Sequence, residues 1–241
     1  RHAPTAPHRH RAPPGRGMEG LPEYHPDSDV RGLDGFHPNL SQAQVAAVEA
    51  VMSALAGDDE LRQGVRRFSH GEPEELMAMR FLRARRWQPQ AALEMLRADV
   101  AWRESERVHE LWGATAEEVL ECPLEATWEW FPTFLQGHDR QQRPVSYTKY
   151  GNCAVSAMKG LTSLERWGRY HTWTMEATVL ALRRASAASG VNVESFTAVM
   201  DATGWSMRLA TRDAYKFLRG MAETDSAHYP ERLGEVGVIK A

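Results

Sequence analysis

From Pro132 onward, three short strand-like runs alternate with two long helical patterns, and this alternation limits the fold more than any other feature. The runs are PVSYTKYG (144–151), SFTAVMD (195–201) and EVGVIK (235–240). The first follows a polar turn at Asp139 to Arg143, and its residues alternate in character as a half-buried strand requires. Between the first two runs lies a helix opened by Thr162 and Glu165, the spacing of a capping box, and closed by Gly190. Glu176 is the only charge between His171 and Leu182, so this helix is expected to be buried on more than one side. A second helix is expected from Trp205 to about Ala222. Strand, helix, strand, helix, strand implies an α/β fold with a mixed, mostly parallel sheet flanked by helices.

Before that point the chain reads as helical. Ser41 can cap a helix carrying Val45, Val48, Met52 and Leu55 at helical spacing, and Gly57 ends it. A second helix is expected over 58–69 and a third from Glu74 to Arg86. Pro89 suits the first turn of a fourth, which sets Leu93, Leu96 and Val100 on one stripe. The organisation that follows is a disordered or extended lead-in (1–40), a helical region (41–122) and an α/β region (123–241). Residues 1–17, rich in Pro, Arg and His, have little to bury and are expected to be disordered.

Composition removes several function classes. The net charge of -3 gives no basic field for nucleic acid. Cys122 and Cys153 form no CxxC pair, so neither a disulfide framework nor a zinc site is indicated. The ten histidines form no metal pattern. No apolar run approaches the ~20 residues of a spanning helix, and no secretory signal is evident, so the expected compartment is the cytoplasm. Asp201 lies at the carboxyl end of a strand, where open α/β sheets often place a functional carboxylate. No phosphate loop, dinucleotide fingerprint or GxSxG elbow accompanies it, so no catalytic residue is assigned.

Two features remain as candidate sites. At 100° per residue, Arg85 falls on the arc of Ala78, Phe81 and Leu82, with Arg80, Arg83 and Arg86 on the other side. It can snorkel to water at a helix end, or it can be an inward clamp for phosphate or carboxylate. Along the strands, Ser146 and Thr148 share a face, as do Phe196, Ala198 and Met200. Such a face can be plain core or the wall of an elongated apolar cavity, and periodicity does not separate the two. YPERLG (229–234) reads as a scaffolding corner built on Glu231 and Arg232.

Four landmarks in order give these segments a family. They are RFLRARRW with the ALEMLRADVAWR helix, the turn of Asp139, Arg143, Pro144 and Val145, then VMDATG, then HYPERLGEVGVIKA. Together they resemble the CRAL-TRIO lipid-binding domain of phosphatidylinositol and phosphatidylcholine transfer proteins, from about residue 41 to the last residue. The resemblance implies a helical bundle, then an α/β layer enclosing one apolar ligand that is exchanged with membranes without covalent chemistry. It implies no enzyme and no cofactor beyond a bound lipid, most readily a phospholipid such as phosphatidylinositol. It implies a monomer in the cytoplasm that docks transiently on membranes. Arg85 and Arg86 match the basic pair that contacts a lipid headgroup, and Ser146, Thr148, Phe196, Ala198 and Met200 would line the pocket. The match is incomplete: Gly220 stands where an acidic headgroup residue is expected, and Phe196 and Ala198 replace hydroxyl residues. Leu135 and Ser146 stand where two tyrosines are expected. In the family a gate helix follows the last strand, so the sequence is expected to be C-terminally truncated, with an open groove. The alternative is a membrane-sensing or scaffold module of a larger regulatory protein.

Overall fold

The computed structural model describes residues 18–240. The expected disorder of 1–17 therefore lies outside the described residues. The helices are α1 (Gln42–Ala56), α2 (Asp59–Phe68), α3 (Glu74–Ala84), α4 (Pro89–Ser105), α5 (Ala116–Leu120), α6 (Leu124–Thr127), α7 (Val155–Leu161), α8 (Leu164–Ser189) and α9 (Arg212–His228). The strands are β1 (Thr133–His138), β2 (Pro144–Lys149), β3 (Phe196–Asp201) and β4 (Leu233–Ile239), with short 3-10 turns at Val108–Trp112 and Tyr150–Asn152.

The first helices form one packed unit around α3. At the start of α1, Ser41 Oγ accepts from the Gln44 amide at 3.3 Å while Gln44 Oε1 accepts from the Ser41 amide at 2.7 Å. Two otherwise orphaned donors are thereby satisfied reciprocally. Val51, Leu55, Leu82 and Leu96 meet in the core with Phe81. Each such side chain contributes roughly 1.5–3 kcal/mol by leaving water. Helices α2 and α4 approach closely at Gly64, where an added Cβ would lie 2.4 Å from Val100 Cγ1. Residues 18–40 run as turns that pack on this unit, with buried Tyr24 meeting half-buried Phe36 edge to face at 5.7 Å.

The sheet order is β1-β2-β3-β4; β1 is antiparallel to β2, and the other two pairings are parallel. The mixed, mostly parallel sheet read from the sequence is present. Strand β1 was not foreseen. Gly137 takes φ +66° and the register breaks between Leu135 and His138, so the segment never shows clean alternation. Three element ends also differ. Helix α8 is capped by Ser163, not Thr162, because Thr162 is extended and already ends α7. Helix α9 starts at Arg212, not near Trp205, because Asp201 Oδ1 accepts from the Thr203 amide at 2.8 Å and folds the chain into turns. Helix α3 stops at Ala84, not Arg86. Arg86 and Trp87 are left-handed, and the Trp87 amide closes onto the Leu82 carbonyl at 2.7 Å. Within the helical region assigned through residue 122, Leu111, Val119 and Leu120 pack with Trp167 and Phe217.

Two buried ionic clusters join the halves. In one, Glu72 accepts from Arg80 (3.1 and 2.6 Å) and from Arg232 (3.2 and 2.7 Å), and Arg80 also donates to the Pro230 carbonyl at 2.8 Å. In the other, Glu176 of α8 accepts from Arg103 (2.7 Å), Tyr229 (2.8 Å) and Trp112 (2.8 Å), with His70 Nε2 2.8 Å away. The one charge that α8 carries between His171 and Leu182 thus serves the joint between bundle and sheet.

These clusters set the acid response. Burial alone would raise the Glu72 pKa, but Arg232 and Arg80 hold it well below its ordinary 4.5. Burial is likewise overcome at Glu176, chiefly by His70 and Arg103, which bring it to about 2. Both folded values lie below the unfolded value. The stabilisation is therefore fully present above that value and is lost as pH falls toward the folded one. A scan of thermal midpoint against pH should decline steeply between about pH 4.5 and 2, and Glu176→Gln should flatten part of that decline. A midpoint that holds constant to pH 3 would contradict this.

Candidate functional site

The strand period decides which side chains share a face. Register aligns Leu135, Ser146, Ala198 and Val236 in one row across the sheet, and Thr133, Thr148, Met200 and Val238 in the next. Helix α8 lies over this face, turning Trp167, Tyr170, Thr174 and Thr178 toward it at successive helical spacings. Between helix and sheet is a cavity of about 440 Å³, closed at one side by Met221 of α9 and by Tyr229. That volume falls in the range of small-molecule pockets, about 300–1,000 Å³. Its mouth is marked by Trp128, Leu135 and Leu233, which line the cavity yet remain exposed.

The wall is mainly apolar, with a few placed polar groups. Thr133 Oγ1 donates to Thr148 Oγ1 at 3.3 Å on the sheet. His171 of α8 meets Asp225 of α9 at 2.7 Å, a hydrogen-bonded pair set into the cavity lining. Burial, with the Asp225 carboxylate adding to it, pushes the Tyr150 phenol up to about 12, and burial alone takes Tyr170 to about 12, so both line the cavity as neutral phenols. Beneath the floor, Arg232 and Tyr229 are already engaged by Glu72 and Glu176. Among the described residues, no group of three or more His, Cys, Asp or Glu is placed to hold a metal ion. Asp201 accepts from the Tyr147 hydroxyl and the Thr203 amide, so its oxygens serve the strand end.

The structure places Ser146, Thr148, Phe196, Ala198 and Met200 together in the cavity lining. It does not bring Arg85 and Arg86 to them. Arg85 is half-buried, donates to the Ala84 carbonyl at 3.1 Å, and lines an open outer groove with Tyr215, Arg219 and Ser226. Arg86 is exposed. The expected inward placement of Arg85 is thus corrected, and the reason is geometric. The helical arc of 100° per residue does not reach Arg85, because the helix ends at Ala84. A helical wheel also assumes one buried face, whereas every residue from Leu76 to Leu82 is buried. The arginines that turn inward are Arg80, 3% exposed, and Arg83, which bonds Glu194 at 2.6 Å. The His171–Asp225 pair and the aromatic wall were missed. The spacing of Trp167, Tyr170, His171 and Thr174 carried that signal for the helix, but nothing in sequence linked Asp225 to it.

Comparison with known proteins gives two family matches. The model described as CRAL/TRIO domain matches residues 130–241, and that described as CRAL/TRIO, N-terminal domain matches residues 53–98. A CRAL-TRIO domain-containing protein of Schizosaccharomyces pombe is 34% identical over 171 residues, covering 70% of this chain and 35% of the relative. The SEC14 cytosolic factor of Candida glabrata is 27% identical over 226 residues, covering 92% of this chain and 70% of the relative. The crystal structure of Sfh5 aligns with a TM-score of 0.61 at 14% identity, over 82% of this chain and 70% of that one, a likeness of fold. The chain spans about a quarter of the length of the insect and plant relatives that it matches.

Proposed function

Because the chain belongs to the CRAL/TRIO domain family, we propose that it binds one lipid in the cavity between α8 and the sheet and carries it between membranes. The observation that carries the reading is the cavity itself: apolar walls, an open mouth and a few fixed polar groups. Each methylene buried there contributes ~0.8 kcal/mol, while association costs roughly 4–15 kcal/mol. The ligand must therefore bury a long acyl chain or an equivalent apolar body. Phosphatidylinositol and phosphatidylcholine are the ligands named for relatives called phosphatidylinositol/phosphatidylcholine transfer proteins, and of the two we assign phosphatidylinositol to this cavity. Release and uptake are exchange steps, with no bond made or broken. A headgroup phosphate held by Arg85 would lie at the outer groove, not in the cavity.

The test is native mass spectrometry after incubation with detergent-dispersed phosphatidylinositol, followed by a vesicle transfer assay. The expected result is a one-to-one lipid adduct and transfer above the spontaneous rate. A clean apo mass at saturating lipid, from folded protein, would remove the reading. The insect and plant relatives are several times longer than this chain, which favours a second reading, a membrane-sensing module of a larger protein. Lipid binding without any transfer would select it.

A further inference from the structure

The segment between β3 and α9, together with the first two turns of α9, presents an unusual surface. Met207 is 84% exposed, Tyr215 66% and Trp205 41%. Exposed cations sit among them at Arg208, Arg212 and Lys216. The only acid from residue 202 to residue 219 is Asp213, and it is held by Lys159 at 3.1 Å. Among the described residues no carboxylate pairs with Arg208, Arg212 or Lys216. This is a locally cationic patch on a chain whose net charge is -3.

The loop is built, not slack. Gly204 turns at φ +89°, the Trp205 amide donates to Ala202 at 2.9 Å, and the Leu209 amide donates to Ser206 at 2.9 Å. Thr211 then caps α9 through the Ala214 amide at 3.1 Å. Behind the loop, a Cβ at Gly151 would lie 1.9 Å from the Thr203 carbonyl oxygen, so the chain is pressed tightly against the sheet end. Trp205 and Met207 are thus held outward by hydrogen-bonded backbone. The loop leaves the strand that carries Ala198 and Met200 and enters the helix that carries Met221 and Asp225, so it joins two walls of the cavity.

We propose that this loop and the first two turns of α9 are the surface by which the protein docks on an anionic lipid bilayer, with Trp205 and Met207 entering the headgroup region and Arg208, Arg212 and Lys216 facing lipid phosphates. Aromatic and apolar tips beside basic residues are what an interfacial site requires, since a bilayer surface is apolar below and negatively charged above. Charge complementarity selects that partner: an acidic protein could meet the cations, but it would not account for a nearly bare Met207 beside them.

The proposal rests on the lipid-carrier reading for its purpose, and the two can fail separately. Co-sedimentation is measured with vesicles of phosphatidylcholine, with and without phosphatidylserine. The wild-type chain should bind the anionic vesicles and lose binding as salt rises. Arg208→Gln, Arg212→Gln and Lys216→Gln together should weaken that binding on the order of 100-fold. Trp205→Ala with Met207→Ala should weaken binding to both vesicle types. Both variants should keep the wild-type thermal midpoint and take up detergent-dispersed phosphatidylinositol as the wild type does. Folded variants that sediment like the wild type overturn the docking surface and leave the carrier reading standing. A wild-type chain that ignores both vesicle types also overturns it, and would point to a protein partner. Wild-type docking with no lipid uptake removes the carrier reading and leaves the surface.

Discussion

Glu72→Ala should destabilise the protein by about 3–5 kcal/mol, the cost of leaving buried charge unpaired. At roughly 2–4 °C per kcal/mol for a chain of this size, the thermal midpoint should drop by about 10 °C. The carboxylate is surrounded by guanidiniums: Arg80 and Arg232 each bond it twice, and both are under 5% exposed. Arg183 adds a third positive charge near the same pocket, bonded through Nη2 to the Val193 carbonyl at 2.7 Å. Burial and the facing charges of Arg80 and Arg183 already pull Arg232 down to about 9, which still leaves it charged at neutral pH. Removing Glu72 deletes the charge that holds these cations together. Glu72→Gln keeps the shape and should lose nearly as much, because the charge is what the cluster needs. Replacing Glu72, Arg80 and Arg232 together with apolar residues of similar volume should cost far less than Glu72→Ala alone, since no stranded ion remains. A Glu72→Ala midpoint within two degrees of the wild type would sink this account.

That joint also shows where sequence reasoning reached and where it stopped. The compact YPERLG corner points to Arg232 as scaffolding, and its bonds to Glu72 and to the Glu194 carbonyl are scaffold contacts. The partner, Glu72, lies 160 residues away in a turn before α3, and no local pattern connects the two. Local signals worked where the physics is local. The cap of α1, the Pro89 start of α4 and the three parallel strands all follow from neighbours in sequence. They failed where a nearby competitor decided the outcome. Thr162 had the right spacing to cap α8, but its backbone was already committed to ending α7.

The candidate site divides in the same way. Alternation along β2 and β3 was enough to group Ser146 with Thr148, and Phe196 with Ala198 and Met200. Whether that face met core or empty space depended on how far α8 stands from the sheet, which is a property of the whole fold. Arg85 failed for the opposite reason. The wheel treats one face as buried, and α3 is buried all round, so the arc lost its meaning. The inward charges at Arg80 and Arg83 answer structural carboxylates at Glu72 and Glu194, not a ligand.

Ala198→Trp is the change expected to act most strongly on function. Ala198 sits mid-strand in β3, 8% exposed, between Ser146 and Val236 in the sheet, and lines the cavity. An indole placed there would project into a space of only about 440 Å³. If it displaces three or four methylenes of the ligand, at ~0.8 kcal/mol each, affinity for a lipid falls by about 100-fold. Because the added ring enters a cavity and not a packed core, the folding cost should stay below the roughly 1–3 kcal/mol typical of overpacking. Ala198→Val is the matched control: it adds bulk at the same position, keeps a β-favouring residue, and should retain most of the lipid load. The readouts are adduct intensity by native mass spectrometry and thermal midpoint. A folded Ala198→Trp protein that still loads lipid like the wild type would place the ligand outside the cavity. It would shift attention to the outer groove at Arg85, which opens on the other side of α9. Loss of loading with the midpoint preserved would tie binding to the face that Ser146, Thr148, Phe196, Ala198 and Met200 share.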